Sequence, residues 1–454
     1  MLLAGLARDG GLYMPASWPS LSPQSIADFA GQPYAEVASR LLAPFVGSSL
    51  TRADLIGIAR DAYARFSHPA VTPLRQIDHS LWVLELFHGP TLAFKDLAMQ
   101  VLARLMDHVL ARRGGRVSIV AATSGDTGGA AIEAFRGLAR VNVVVLFPTG
   151  RISAVQRRMM TTPAEANVNA LAIEGTFDDC QALVKAMFND LRFRDRLQLA
   201  AVNSINWARI VAQLTYYFVA AVALGGPARR LAFSVPTGNF GDVFAGYAAK
   251  AMGLPAERLL IATNENDILA RAWSTGTYAL SDVVATSSPS MDIQVSSNFE
   301  RFLFEASGRD AGFVRGKMQA LQQSRGIELG EARQPYRASF IAERVDQAAV
   351  GDCIRRVKAQ SGYLLDPHSA CAVVAAQRQA TALSPSVARI ALATAHPAKF
   401  PESLEAIVGK RPALPGRLDC LLSQPERVTT LPNDLGQVQR FVERCATTVW
   451  GPGA

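Results

Sequence analysis

The sequence predicts an α/β protein built on open, doubly wound parallel sheets, and three observations carry that prediction. Short apolar runs rich in β-branched residues alternate with stretches of helical spacing, at 117–122, 129–138 and 141–147, and again at 231–235, 243–252 and 259–263. Alternation of this kind is the strand-helix-strand unit of a parallel sheet, and 390–394 reads as a further, late strand. Turns with glycine and hydroxyl residues follow the strands and open the helices, at 123–128 and 236–242. In such sheets ligands bind beyond the carboxyl ends of the strands, so these turns are where chemistry is expected.

Composition bounds the rest. A chain of 454 residues is too long for one core, and 49% hydrophobic with 19% charged residues describes an ordinary globular protein rather than a disordered one. The most apolar window, 210–224, is interrupted by Gln213 and Thr215 and falls short of the roughly 20 residues that cross a bilayer, so it is expected to be a buried helix. No basic stretch followed by an apolar run opens the sequence, which leads us to expect a cytoplasmic protein without membrane contact. The five cysteines, Cys180, Cys353, Cys371, Cys420 and Cys445, form no CxxC or histidine-spaced pair, so neither disulfides nor a metal site is expected. Net charge is +8, but the basic pairs Arg112-Arg113, Arg157-Arg158, Arg229-Arg230 and Arg355-Arg356 are scattered among acids without aromatic interleaving. That pattern argues against nucleic-acid binding and weakly favours small anionic substrates.

From the N-terminus, Asp9-Gly10-Gly11 supplies a turn, 22–64 shows helical spacing from a Ser22-Pro23 start, and 67–73 reads as a linker. These cues divide the chain into an N-terminal domain, 1–72, a smaller α/β domain, 73–215, and a larger one, 216–454. The stretch FHGPTLAFKD, 87–96, leaves an apolar run and enters a segment with apolar residues at helical spacing, which puts Lys95 in the first turn of a helix that Gly114-Gly115 ends. The positive end of a helix dipole and burial among apolar neighbours both lower a lysine's pKa, and a neutral amine is what Schiff-base chemistry needs. The competing reading is a solvated lysine paired with Asp96.

At 123–128, Thr-Ser-Gly-Asp-Thr-Gly joins strand to helix, and its hydroxyls and amides suit an anion. Ala122 excludes a GxSxG nucleophile elbow, and the missing GK[ST] excludes a P-loop; a plain helix cap is the alternative. At 203–209, NSINWAR places Ser204 and Arg209 ahead of the buried helix, where an arginine can grip a phosphate with two parallel hydrogen bonds or pair with an acid at a domain seam. At 236–242, PTGNFGD lets backbone approach a phosphate closely at a helix start, although the full GxGxxG of a dinucleotide site is absent. Thr394, at the end of the late strand, offers a hydroxyl to a ring nitrogen, whereas His396 alone reads as a capped or packed histidine. The stretch 309–349 and the tail after Pro412 show helical spacing and polar loops in which no chemistry is legible.

Four separated motifs, HGPTLAFKD, SGDTGGA, TGNFGD and ATAHPAKF, together resemble threonine synthases of the longer bacterial and fungal type, within the fold type II pyridoxal-phosphate enzymes. The resemblance implies two doubly wound parallel-sheet domains with the cofactor in the cleft between them, plus a small N-terminal domain. It implies that Lys95 carries pyridoxal 5′-phosphate, that Gly238, Asn239, Phe240 and Asp242 form the cup for its phosphate, and that Thr394 faces the pyridine nitrogen. Ser124, Asp126 and Thr127 would hold the substrate carboxylate, and Ser204 and Arg209 the substrate phosphate. Gly150, Arg151, Ile152, Ser153 and Gln156 also match, with no role assigned. Members typically open with a YxSTRG segment absent from this sequence, which puts an N-terminal strand in doubt but not the cofactor site. The implied reaction is conversion of O-phospho-L-homoserine to L-threonine and phosphate. The alternatives are another lyase of the same fold acting on serine or threonine, and a non-catalytic relative that binds a partner.

Overall fold

The computed structural model describes residues 2–7, 9–150 and 152–451. In chain order its strands are β1 Leu74–Asp78, β2 Leu81–Glu85, β3 Val117–Ala122, β4 Val141–Pro148, β5 Val168–Glu174, β6 Leu199–Ala200, β7 Leu231–Pro236, β8 Ala256–Thr263, β9 Thr277–Ala279, β10 Gly326–Glu328, β11 Phe340–Arg344, β12 Ala388–Ala393 and β13 Val428–Pro432. They form a six-stranded sheet in the order β1-β2-β12-β7-β8-β11, a five-stranded sheet in the order β13-β5-β4-β3-β6 and a separate antiparallel pair, β9 with β10. The first is parallel apart from the β1–β2 hairpin at its edge. The second is parallel throughout. Every residue of β4, β7 and β12 is buried, as expected where helices cover both faces and the strands read as unbroken apolar runs.

Sheet membership crosses the cut that the sequence suggested at 215. Strands β1 and β2 lie in the six-stranded sheet with β7, β8, β11 and β12, while β13, near the C-terminus, returns to pair with β5. Periodicity identifies a strand but not its partner, and pairings such as Leu84 with Leu392 are settled only when distant segments meet. The N-terminal helices Pro23–Ala27, Tyr34–Val46 and Arg52–Tyr63 appear where helical spacing placed them, the first capped by Ser22 and the third by a Thr51/Asp54 capping box. Their apolar faces join a core that also contains Leu84, Val101, Tyr217 and Phe244, so residues before the linker do not enclose a core of their own.

Local predictions hold closely around the site. The lysine helix runs Lys95–Arg113 and stops at Gly114, whose φ of 62° is left-handed. The apolar window is the helix Trp207–Ala223, buried along almost its whole length. The helix expected at 129–138 begins three residues earlier and runs Asp126–Phe135, because Gly125 takes a φ of 132° that turns the chain directly into it. A Cβ at Gly125 would lie 2.5 Å from Cδ of Gln156, so the turn and its neighbour both require glycine. Among the described residues no helix is long and apolar enough to cross a membrane, no cluster of metal-binding side chains occurs, and the five cysteines are free thiols.

Candidate active site

The sequence-derived segments converge because each leaves the carboxyl end of a parallel strand. From β2 the chain passes Leu86, whose amide donates to Ala393 at 3.0 Å, and reaches Leu92, buried and left-handed at φ 60°. A leucine in that region is strained, and such strain clusters at functional sites. The bend pairs Ala93 with Ala395 as an antiparallel bridge and brings the Phe94 amide 2.8 Å from the carbonyl of Thr394. Lys95 and Thr394 are thereby locked side by side through backbone alone.

Lys95 is the first helical residue, and its amine lies 3.0 Å from Oδ2 of Asp126. The solvated pairing with Asp96 does not form. Asp96 is fully buried, and accepts from the amide and hydroxyl of Thr91, each at 2.7 Å. Burial lowers the pKa of Lys95, with Lys399 and Arg209 acting in the same direction against the pull of Asp126. Asp126 also accepts from Lys399 Nζ at 2.7 Å, Gln156 Nε2 at 2.9 Å and Ser290 Oγ at 3.0 Å. Burial would raise its pKa, but Lys399 and Lys95 outweigh burial and hold it well below the ordinary carboxylate value. The Asp126 side chain is thus enclosed by donors, and as an anion it offers no attraction to a substrate carboxylate. Within the same loop Ser124 and Thr127 are half-buried, and the Thr123 hydroxyl fixes the turn by accepting from the amides of Gly125 and Gly128 at 3.0 and 2.9 Å.

After β7, residues 237–240 turn into the helix Gly241–Ala251, whose first turn has no side-chain cap. Its leading amides are therefore open to an anion, and the helix dipole adds to the attraction. Gly238 is tight against a neighbouring segment, since a Cβ there would sit 2.9 Å from the carbonyl oxygen of Ser290. Phe240, left-handed at φ 64°, sends its ring into a cluster with Phe299 and Phe340, so only its backbone faces the turn. Asn239 accepts from Ser297 Oγ at 2.9 Å through Oδ1. Asp242 accepts from the hydroxyls of Tyr216 and Tyr217 at 2.6 and 2.8 Å, and burial raises its pKa to about 6. It anchors the helix start from beneath.

Arg209 is buried in the first turn of the long apolar helix, with Nη1 donating to the Val202 carbonyl at 3.3 Å and Nε without a partner. No acid forms an ion pair with it among the described residues, so the seam-pairing alternative is not what the fold builds. Burial lowers its pKa to about 10, which leaves it charged at neutral pH. Ser204 is half-buried and approaches Gly241, bringing this segment next to the 237–242 turn. His396 accepts from the Ala398 amide at 3.1 Å, a capping role, and burial lowers its pKa to about 4.

The sequence reading passed over Lys399 inside its own ATAHPAKF motif, although this lysine is buried on Asp126 and Thr91. It gave Gln156 no role, and it missed Ser290, which lies in an irregular stretch. The Ser290 amide donates to Nε2 of His368 at 3.2 Å, and Nδ1 of His368 lies 2.7 Å from Asp366. A polar array therefore runs from Asp366 to Lys95. Arg151 of the matching 150–153 stretch lies outside the described residues.

Residues 66–393 match the pyridoxal-phosphate dependent enzyme family, residues 1–63 the threonine synthase N terminus and residues 369–442 the threonine synthase C-terminal family. The chain is 51% identical to the threonine synthase of Pseudomonas aeruginosa over 446 residues, covering 98% of this chain and 95% of that protein. It is similar to the solved pyridoxal-phosphate-bound threonine synthase of Brucella melitensis, with 54% identity, a TM-score of 0.95 and coverage of 98% and 96% of the two chains. It is also similar to yeast threonine synthase, with 37% identity, a TM-score of 0.90 and coverage of 97% and 94%. With the lysine, the glycine-rich turn and the strand-end threonine assembled on a fold type II scaffold, this chain belongs to the threonine synthase family of pyridoxal-phosphate-dependent lyases.

Proposed function

We propose that the substrate is O-phospho-L-homoserine, converted with water to L-threonine and phosphate, and that the residues assembled above perform the reaction. The observation that carries the phosphorylated substrate is Arg209, a buried guanidinium with an unpartnered Nε, near enough to Lys95 to lower its pKa. A buried cation without a counter-ion is costly, and an anionic ligand would remove that cost. A serine or threonine lyase would have no use for it.

Pyridoxal phosphate fits the residues present. The open amides of the helix Gly241–Ala251, with the turn of Gly238, Asn239, Phe240 and Asp242, would hold its phosphate, the Thr394 hydroxyl its pyridine nitrogen and Lys95 its aldehyde carbon. When bound, the cofactor supplies an electron sink for charge developing on the substrate carbons. Lys95, whose amine burial keeps toward neutrality, takes the proton from Cα and serves the later proton transfers at Cβ and Cγ. Ser124 and Thr127, with amides at the start of the helix Asp126–Phe135, hold the substrate carboxylate, and Asp126 contributes backbone there rather than its side chain. Ser204 and Arg209 hold the phosphate as it departs from Cγ and stabilise the charge gathering on its oxygens.

The test is direct: incubate the purified, yellow protein with O-phosphohomoserine and measure phosphate and threonine together. Equimolar formation of both is expected. Phosphate without threonine, or neither product from folded and yellow protein, would overturn the assignment.

A further inference from the structure

Lys399 is the second lysine of the site, and its surroundings are more constrained than those of Lys95. Its side chain is 1% exposed, and Nζ donates to Asp126 Oδ1 at 2.7 Å and to the Thr91 carbonyl at 2.8 Å. Its own carbonyl accepts from Ser153 Oγ at 3.1 Å. That serine caps the helix Ala154–Thr161, which supplies Gln156 to the same carboxylate. Asp126 is therefore gripped from one side by fixed groups, Lys399 and Gln156, and from the other by Lys95 and Ser290.

Lys95 cannot keep its present partner throughout. To meet an aldehyde carbon it must lose its charge and turn away from Asp126, on the reading that Lys95 is the cofactor lysine. If Lys95 were the only cation there, that move would strand an ionised carboxylate, 4% exposed, and leaving such a group unpaired is strongly unfavourable. The carboxylate would instead hold Lys95 protonated and in place.

We propose that Lys399 is a positioning residue: the standing counter-ion of Asp126, which keeps that carboxylate charged and fixed while Lys95 changes both charge and partner. Asp126 then serves as a dock from which Lys95 can leave, and Lys399 sets how readily it leaves. The directions of the electrostatic effects on Lys95 agree, since burial and Lys399 both favour its neutral form and Asp126 its charged form.

The experiment follows the pH dependence with which apo-protein captures pyridoxal phosphate at Lys95, read as the borohydride-fixed Lys95 peptide by mass spectrometry. Labelling of Lys95 in the wild type separately checks the assignment on which this inference rests. Lys399→Met should move the midpoint of capture to higher pH by about one unit or more, and slow capture at neutral pH about tenfold, because Asp126 then has only Lys95 to pair with. Lys399→Met combined with Asp126→Asn should bring the midpoint back to the wild-type value or below it. A Lys399→Met profile superimposed on the wild type, or a double variant displaced upward as far as the single one, would overturn the proposal. Should Lys399→Met not fold, the double variant decides: a midpoint above the wild type's counts against the standing counter-ion.

Discussion

The peptide nitrogen of Phe94 donates to the carbonyl oxygen of Thr394 over 2.8 Å, one residue ahead of Lys95. Two segments from opposite ends of the chain are tied there by backbone, in a bend that holds Leu92 at a φ of 60°. The group proposed to hold the cofactor's aldehyde and the group proposed to face its ring nitrogen are thus set by main-chain geometry, which substitutions of either side chain leave intact.

Lys95→Ala should therefore fold as the wild type does and lose the yellow colour and borohydride labelling that a lysine-bound cofactor gives. Circular dichroism and mass spectrometry of the labelled peptide check both halves. A colourless wild type, or label found on Lys399 in place of Lys95, would remove Lys95 from its assigned role.

Thr394→Asp should leave the Phe94 hydrogen bond in place, since that bond uses the Thr394 carbonyl. A carboxylate at this position would favour protonation of the ring nitrogen and make the cofactor a stronger electron sink. The absorbance of the bound cofactor should change, and turnover should divert toward side products such as 2-ketobutyrate. An unchanged spectrum with an unchanged product ratio would show that Thr394 is not the partner.

What the sequence disclosed follows from how local each feature is. The Lys95 helix, its stop at Gly114 and the strand-turn-helix segments around Asp126 and Gly241 are written in consecutive residues, and they sit within a few positions of where periodicity put them. The four donors on Asp126 come from four separate elements, and nothing in the local pattern of Ser290 or Lys399 marks them as neighbours. Strand β13 was missed for a related reason: its residues are only half-buried or exposed, so they carry no apolar alternation. One signal was available. An aspartate in an anion-binding loop demands a cation, and Lys399 stood in a motif already singled out.

Asp242 gives a pH-dependent stability that can be isolated. Its folded pKa, about 6, lies above that of an unfolded aspartate, because burial outweighs the two tyrosine hydroxyls. A carboxyl raised in this way destabilises the fold fully above pH 6, and the cost fades as pH falls toward the unfolded value. Asp242→Asn should accordingly melt higher than the wild type in apo form, with the gap widening from pH 4 to 6 and level above that. A gap that narrows as pH rises would mean that the tyrosine hydrogen bonds to the charged form dominate instead.

Arg209 separates a threonine synthase acting on a phosphorylated substrate from a lyase acting on serine or threonine. Its Nε lacks a partner and its Nη1 reaches only the Val202 carbonyl at 3.3 Å, so the guanidinium retains donors for an incoming anion. One charge-assisted hydrogen bond contributes about 1.5 to 3 kcal/mol, so losing one should lower kcat/KM about ten- to a hundredfold, and a two-point grip more. Cofactor binding should be spared, because the 237–242 turn presents the amides of a different helix. Removing a buried charge that has no acid to pair with should not unfold the protein, and apo-enzyme melting should be equal or higher. Arg209→Leu is thus expected to stay yellow, to give the wild-type spectral response to serine, and to fail selectively with O-phosphohomoserine. Equal loss toward both amino acids would make Arg209 a structural residue of the Trp207–Ala223 helix, and the case for a phosphorylated substrate would then have to rest on Ser204 alone.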